Sequence, residues 1–333
     1  MTPSSETKKL LQRVFLIPVL ILSLQCNPYS LPENQSSPGE TAFTVYQEAL
    51  GQYQAGNIDE AQVLIRKALK MNPGVAYFHE LDGDIYRSQN KFREALKSYD
   101  RAIALRSNYP EVYERQAEIY ISINKREEAI KAYKRILAND PTQTVAYLHI
   151  ARQYMDLKEY AVALNALADY YRQKQAFNEK PEPLYFKIRG LIFIRQRMYK
   201  DAIQALTQFN ALEPENSECL ALLGYCCYEI EEYERGLEYF NKLIRMDDKN
   251  GNWYLYRGIY FFKKKDLNDA EEQFRLALDL NSELYVAHYY LGKIYEERGE
   301  LQSALEELRL YRQHMPATVG EDAEEPVPGF IFE

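Results

Sequence analysis

Small residues recur along most of this chain with a period of 34 residues. Alanine or glycine stands in two series twelve residues apart, and both series keep the same spacing apart from one interval of 39. The first series is Ala61, Ala95, Ala129, Ala163, Ala202, Gly236, Ala270 and Ala304, and the second is Ala49, Gly83, Ala117, Ala151, Gly190, Gly224, Gly258 and Gly292. A fixed period of this length indicates a repeat array, in which each unit buries its apolar face only against its neighbours.

Each unit contains two stretches with the apolar periodicity of an α-helix. A break such as Gly56-Asn57 or Asn90-Lys91 joins the two stretches. Small residues at matching places let two helix backbones approach closely, and the aromatic and leucine residues beside them fill the seam. The 333 residues include only 14 glycines and 14 prolines, too few for the many tight turns of a β-sandwich. The sequence therefore predicts an all-α fold.

This pattern resembles the tetratricopeptide repeat (TPR) family over residues 42–318. The resemblance implies a TPR α-solenoid of about eight helix-turn-helix repeats in a right-handed superhelix. The repeats are expected near residues 42–75, 76–109, 110–143, 144–182, 183–216, 217–250, 251–284 and 285–318. Gly236 replaces the usual alanine inside a helix, where glycine costs about 1 kcal/mol, so the sixth repeat is expected to be the least stable.

The 39-residue interval contains five extra residues, which fall within residues 172–183. We expect the second helix of the fourth repeat to be lengthened and to end before Pro181. A tolerated loop insertion and a hinge between two four-repeat halves are both consistent with this sequence.

Residues 1–25 have the pattern of a signal peptide. Lys8, Lys9 and Arg13 precede an apolar core of eleven residues, 14–24, whereas a membrane-spanning helix needs about 20. An uncleaved signal anchor and an ordinary secreted protein are alternatives at this point.

The residues Leu22-Ser23-Leu24-Gln25-Cys26 resemble a bacterial lipobox. The resemblance implies a lipid anchor on Cys26, and residues 26–41 would form a flexible tether because they are rich in Pro, Ser and Asn. We expect the protein in the bacterial cell envelope, on the periplasmic face of the outer membrane rather than at the inner membrane.

The sequence offers no catalytic motif. Cys219, Cys226 and Cys227 lie on one predicted helix and are expected to fill the core, and the four histidines lie in four different repeats without metal-ligand spacing. No phosphate-binding glycine loop or nucleophile elbow is present. We expect no enzyme activity, cofactor or metal, and the net charge of −8 disfavours nucleic acid as a partner.

In the TPR family, ligands bind a concave groove lined by positions 2, 5, 9, 12 and 13 of each first helix. The resemblance thus implies a peptide-binding groove with an aromatic entrance, an acidic band and an apolar and aromatic stretch. Its expected residues are Tyr46, Tyr53, Glu80, Asp84, Glu111, Glu114, Glu118, Leu148, Arg152, Leu191, Ile194, Tyr225, Tyr228, Ile259, Phe262 and Tyr289. The expected ligand is a protein or peptide segment with a basic portion and an apolar portion.

The function predicted from these features is a non-enzymatic protein-protein interaction scaffold of the bacterial cell envelope. The resemblance allows roles in secretion, pilus assembly or outer-membrane assembly. One alternative is an accessory subunit or chaperone of an enzyme that handles polysaccharide or peptidoglycan. Another is a cytoplasmic TPR scaffold with an uncleaved N-terminal anchor.

The C-terminal end of the array suggests one further hypothesis. Arg309, Arg312 and Gln313 on the last helix predict a polar outer face, as terminal repeats require. The acidic tail, residues 319–333, contains the apolar stretch Phe330–Phe332, which would dock back onto the solenoid.

Overall fold

The computed structural model describes residues 41–315, which form sixteen α-helices and contain no β-strand. The expected signal peptide, Cys26, the tether apart from Thr41 and the acidic tail lie outside the described residues. The first helices of the eight pairs are α1 (Ala42–Gln54), α3 (Ala76–Ser88), α5 (Pro110–Ser122), α7 (Val145–Asp156), α9 (Pro183–Arg195), α11 (Ser217–Glu229), α13 (Gly251–Lys263) and α15 (Tyr285–Arg298). The second helices are α2 (Ile58–Met71), α4 (Phe92–Leu105), α6 (Arg126–Asn139), α8 (Tyr160–Ala176), α10 (Tyr199–Leu212), α12 (Tyr233–Met246), α14 (Leu267–Leu280) and α16 (Leu301–His314).

The turn between the two helices of every pair has one residue in the left-handed backbone region. These residues share one register position and are Gly56, Asn90, Asn124, Lys158, Arg197, Glu231, Lys265 and Gly299. The residue after each one donates its N–H to a carbonyl five residues earlier, as from Lys91 to Tyr86 at 2.9 Å. This is the helix C-terminal motif that usually employs glycine. Six of the eight turns use a residue with a side chain instead.

Helix α8 is the longest in the described part of the chain, with 17 residues, and it ends at Ala176. Its end repeats the left-handed motif at Asn178, and Glu179 donates its N–H to the carbonyl of Lys174 at 2.8 Å. The five extra residues therefore extend the helix and add a second capped turn before Pro181, as the sequence predicts.

Glycine on a first helix lies against a large side chain of the second helix sixteen residues later. A Cβ atom on Gly224 would lie 2.6 Å from the ring of Phe240, and one on Gly258 would lie 2.7 Å from the ring of Phe274. In the fifth and eighth repeats a leucine takes the place of the ring, and a Cβ atom on Gly190 would lie 2.7 Å from the Leu206 side chain. The small-residue series is thus the seam along which each helix pair packs.

Glycine stands at position 236 on α12 for a different reason. A Cβ atom at this position would overlap with the ring of Tyr260, which enters from α13 of the next repeat. Tyr260 is fully buried, and its hydroxyl donates to the carbonyl oxygen of Gly224. The glycine therefore makes room for a large side chain, and the packing of Tyr260 offsets part of the helix propensity lost at Gly236.

The apolar core runs from repeat to repeat. The largest cluster combines buried side chains of the last three repeats, including Phe240, Tyr260 and Phe274, and a second cluster extends from α5 to α9. Over residues 41–315, no helix combines the length and apolar character needed to cross a bilayer.

Candidate functional site

The predicted groove residues separate into two groups. Side chains at the ninth and twelfth positions of the first helices are mostly half-buried or exposed, among them Tyr53, Glu118, Arg152, Leu191, Ile194, Tyr225, Tyr228 and Phe262. We call the surface formed by accessible side chains of α1, α3, α5, α7, α9, α11, α13 and α15 the first-helix surface.

Five of the sixteen predicted residues are buried, so the expectation that these five are accessible to a ligand is wrong. Tyr46 is 2% exposed and packs on Tyr77 and Phe78, with ring centroids 4.8 and 5.0 Å away. Leu148 and Ile259 lie in the core clusters between helices. Tyr46 thus packs against the neighbouring first helix, α3, and the space that a ligand would need beside it is filled.

Glu80 and Asp84 are the remaining two, with 3% and 7% exposure. Both carboxylates form ion pairs with Arg115 on α5, and the Arg115–Asp84 distance is 3.3 Å. The tyrosine hydroxyls complete this buried ion network, since Tyr109 donates to Glu80 and Tyr99 donates to Asp84 at 2.6 Å.

Burial raises the pKa of Asp84, and Arg115 and the Tyr99 hydroxyl oppose that shift. The same network raises the pKa of the Arg115 guanidinium, because Asp84 and Glu80 favour its charged form against the effect of burial. Arg115 therefore compensates one of the two negative charges inside the stack, and the hydroxyls of Tyr99 and Tyr109 donate hydrogen bonds to the two carboxylates.

The acidic band is reduced to three exposed residues of α5, namely Glu111, Glu114 and Glu118. Glu118 forms an ion pair with Arg87 of α3. Partial burial raises the pKa of Glu114, and the nearby Glu111 and Glu118 raise it further. These three residues lie about one helical turn apart on one face of α5 and form a negative strip on the third repeat.

Three predicted residues meet in one pocket between α9 and α11. Leu191, Ile194 and Tyr225 line a cavity of about 470 Å³. Arg195, Arg197, Tyr199 and Glu229 complete its lining. Tyr199 and Tyr225 pack edge to face with centroids 5.8 Å apart. The pocket thus combines an apolar wall with two tyrosines, two guanidinium groups and one carboxylate.

Arg195 and Arg197 have no carboxylate within ion-pair distance among residues 41–315, although the pocket also contains Glu229. Glu229 interacts with the tyrosine hydroxyls and raises the pKa of Tyr199, after the larger effect of burial. Sequence reasoning missed Arg197 as a pocket residue. The 34-residue register places Arg197 at the left-handed position of the turn between α9 and α10, so the sequence alone could have located this residue.

Three predicted aromatic residues of the last three repeats each have a lysine ammonium over the ring. The pairs are Lys263 over Tyr228 at 5.9 Å, Lys265 over Phe262 at 5.5 Å and Lys293 over Tyr289 at 5.7 Å. Cation–π contacts of this kind hold the rings in place and bring positive charge beside them.

Arg152 is exposed on α7, between the negative strip and the pocket. The neighbouring His149 stacks on Tyr133 with centroids 4.8 Å apart. Burial and the Arg152 charge lower the pKa of His149. The first-helix surface therefore changes sign from α5, which is acidic, to α7 and α9, which are basic.

The described residues contain no group of three or more His, Cys, Asp or Glu side chains arranged to hold a metal ion. Cys219, Cys226 and Cys227 are buried free thiols, as expected for core residues. Burial raises the pKa of Cys219 to about 12 and that of Cys227 to about 11, so both stay protonated and unreactive.

Comparison with known families agrees with this geometry. Models of the TPR repeat and tetratricopeptide repeat families match residues 83–120, 110–143, 230–285 and 255–317. This chain is a tetratricopeptide repeat protein. A model described as anaphase-promoting complex, cyclosome, subunit 3 also matches residues 168–243 of the TPR protein.

The TPR protein is similar to parts of larger proteins. It is 31% identical over 91 residues to anaphase-promoting complex subunit 3 of Dictyostelium discoideum, which covers 27% of this chain and 9% of that protein. It is 25% identical over 258 residues to the mouse N-alpha-acetyltransferase 16, NatA auxiliary subunit, which covers 78% of this chain and 26% of the relative. The chain therefore spans about a tenth to a quarter of these relatives.

Solved structures share the fold of the TPR protein at low sequence identity. A TPR protein from Cytophaga hutchinsonii superposes with a TM-score of 0.60 and 16% identity, over 71% of this chain and 95% of that one. A TPR protein from Parabacteroides merdae gives 0.54 and 16%, over 80% and 100%. The hetero-tetramer Cut9–Hcn1 contains a chain with a TM-score of 0.52 and 17% identity, over 83% of this chain and 51% of that one.

Proposed function

We propose that this protein binds a segment of a partner protein along its first-helix surface and anchors that segment in the pocket between α9 and α11. The composition of the pocket is the observation that carries the proposal. Leu191 and Ile194 offer an apolar wall, and Arg195 and Arg197 present charges that no carboxylate of residues 41–315 pairs with. Small apolar pockets with a few polar groups are the usual anchor points for peptides.

The pocket favours an apolar side chain next to an aspartate or glutamate. Guanidinium groups bind carboxylates with paired hydrogen bonds, which lysine cannot reproduce. The strip of Glu111, Glu114 and Glu118 lies on α5, two first helices away from α9, and attracts a basic residue. The proposed ligand thus has a basic portion, as the sequence predicts, and an apolar portion with an acidic neighbour.

The relatives support a role beside other proteins. The mouse relative is described as an auxiliary subunit, and one of the solved chains with this fold belongs to the hetero-tetramer Cut9–Hcn1. We infer from these descriptions that the protein acts as a non-enzymatic scaffold for other proteins.

A peptide library that varies charge and apolar content tests the ligand chemistry, with affinity measured by fluorescence polarisation. The best peptides should carry an apolar residue beside Asp or Glu. Replacing Arg195 and Arg197 by Gln should weaken them about tenfold, roughly 1.4 kcal/mol. The matched control replaces Arg93 and Arg101, which are exposed on α4, and should change affinity less than twofold. Equal losses in both variants would show that net charge, and not the pocket, governs binding.

Reversing Glu114 and Glu118 to Lys tests the other end of the ligand. Peptides with a basic portion should associate more slowly and with weaker salt dependence, whereas dissociation should change little, because charges outside a buried contact act mainly on the encounter rate. Unchanged association would place the basic portion elsewhere.

We also propose that the protein is exported and lipid-anchored through Cys26 in the bacterial cell envelope. The apolar stretch 14–24 and the lipobox resemblance of residues 22–26 support this proposal. A tagged fatty acid should label the native chain and the Cys219→Ala variant but not Cys26→Ala. Absence of label on the native chain would refute the anchor and leave the peptide-binding proposal untouched.

A further inference from the structure

The outer face of α16 carries two apolar side chains that no described residue covers. Leu305, the fifth residue of this helix, is 65% exposed. None of its equivalents in the seven earlier repeats is exposed, and Ile130, Ile203 and Leu237 are at most 8% exposed. In the earlier repeats, the first helix of the next repeat packs on this face.

Leu301, the first residue of α16, is also more exposed than its equivalents in the earlier repeats. It is 68% exposed, whereas none of its seven equivalents is exposed. Two leucines one helical turn apart therefore form an apolar strip on the surface. The expectation of a polar outer face, based on Arg309 and Arg312, is wrong for this part of the helix.

We propose that residues 316–333 of this chain fold back and cover the strip. Pro316 stands in register with Pro73, Pro141 and Pro214, which lie where the chain turns from a second helix towards the next first helix. The segment that follows Pro316 is thus the one that covers the preceding helix in all earlier repeats. Pro326 and Pro328 interrupt any helix before the apolar residues 330–332, so the cover differs from the continuous first helix that packs on this face in the earlier repeats.

The order of residues in this segment fits a return along α16. Arg312 takes a position that is Leu278 or Ile244 in the two preceding repeats, and it has no ion pair within the described residues. The four acidic residues within 321–325 come first and can meet Arg312, and the apolar residues Phe330–Phe332 come last and can meet Leu305 and Leu301.

The length of the segment is sufficient. Arg312 and Leu301 are about 16 Å apart along the helix at 1.5 Å per residue. The fifteen residues from Pro316 to Phe330 reach up to about 50 Å when extended. The segment can therefore cover the whole strip, and its attachment to α16 keeps its local concentration high.

Hydrogen exchange of the full chain, as isolated from cells, tests this proposal. Amides in residues 303–312 should exchange at least fivefold faster when residues 316–333 are deleted, and also in the variant F330A/I331A/F332A. Amides of α2 should not change in either variant. Unchanged exchange over 303–312 in both variants would overturn the proposal.

A second measurement separates the tail from a second copy of the chain. Leu305→Glu should accelerate exchange in α16 of the full chain and add little in the deleted chain, because the two changes remove the same contact. The control Val63→Glu, at a residue that is 67% exposed on α2, should have no effect on α16. Light scattering should give a monomer for the native chain. A dimer that Leu305→Glu dissociates would overturn the proposal in favour of a second copy.

Discussion

The second repeat buries the carboxylates Glu80 and Asp84 within the stack, whereas the seventh buries the aromatic rings Tyr256 and Tyr260. Glu80 stands at the position of Tyr46, Leu148 and Leu255, and all four side chains are buried. In the charged region, burial requires an internal counterion, Arg115, whereas in the aromatic region it requires space, which Gly236 provides for Tyr260. The stack thus determines that a position is buried, and the local partners determine which chemistry can occupy it.

The two regions should therefore fail in different ways. Removing one member of the ion network leaves a buried charge without its partner, which is costly whatever the size of the new side chain. Filling the space at Gly236 creates a steric overlap, which a smaller side chain on the partner relieves.

The largest effect is expected for Arg115→Leu. Glu80 and Asp84 would remain buried without a cation, and the free energy of unfolding should fall by about 3–5 kcal/mol in urea denaturation. In the background E80Q/D84N, the same change should cost only about 1 kcal/mol, because the amides keep acceptors for the two tyrosine hydroxyls without a charge. Equal losses in the two backgrounds would mean that Arg115 acts by packing alone.

An intermediate effect is expected for Gly236→Ala. Its Cβ would overlap with Tyr260, so the free energy of unfolding should fall by about 1–3 kcal/mol despite the better helix propensity of alanine. The double variant with Tyr260→Ile, the residue found at the equivalent Ile85 and Ile119, should recover most of that loss.

Gly51→Ala is the matched control, since nothing lies within 4 Å of a Cβ atom at this place on α1. It should stabilise the protein by roughly 0.5–1 kcal/mol. A loss of stability at Gly51 as well would indicate that glycine is favoured throughout these helices for another reason.

The smallest effect concerns charge on the surface of the third repeat. Because the pKa of Glu114 is raised in the folded protein, ionisation of Glu114 opposes folding above that pKa. At pH 7, Glu114→Gln should increase the free energy of unfolding by a few tenths of a kcal/mol, which is measured as a higher melting temperature. This gain should vanish as the pH falls below about 4.

Glu306→Gln should change stability at pH 7 in the opposite direction. Arg309 lowers the pKa of Glu306, so its ionised form favours folding, and the substitution should lower the melting temperature at pH 7. That loss should also disappear at low pH. Effects of one sign for both variants would contradict the assignment of the two shifts.

Much of the fold followed from the sequence because the repeat imposes one register on many residues. The helix pairs, the seam glycines and the lengthened α8 all depend on local periodicity, which the sequence displays directly. The accessibility of single groove positions depends instead on how closely neighbouring repeats stack. Tyr46 and Glu80 therefore proved buried at a position where Glu114 is exposed.

The electrostatics of the surface was predictable only in part. Glu111, Glu114 and Glu118 are visible as an acidic strip because they share one helix face. The pairing of Glu80 and Asp84 with Arg115 depends on contacts across two repeats, and the place of Arg197 in the pocket depends on the direction of a turn. The exposure of Leu301 and Leu305 depends on what packs on the last described helix, which the periodicity of that helix does not show.

The left-handed turns make the units of this array interchangeable. Each turn has the same backbone geometry whether its residue is Gly, Asn, Lys, Arg or Glu, so a cut at one turn and a join at the next leaves every helix end capped. Duplication or excision of a 34-residue block would therefore lengthen or shorten the first-helix surface without requiring a new type of junction between helices. Only the block that contains α8 departs from this rule, since its extra length adds a second turn at Asn178.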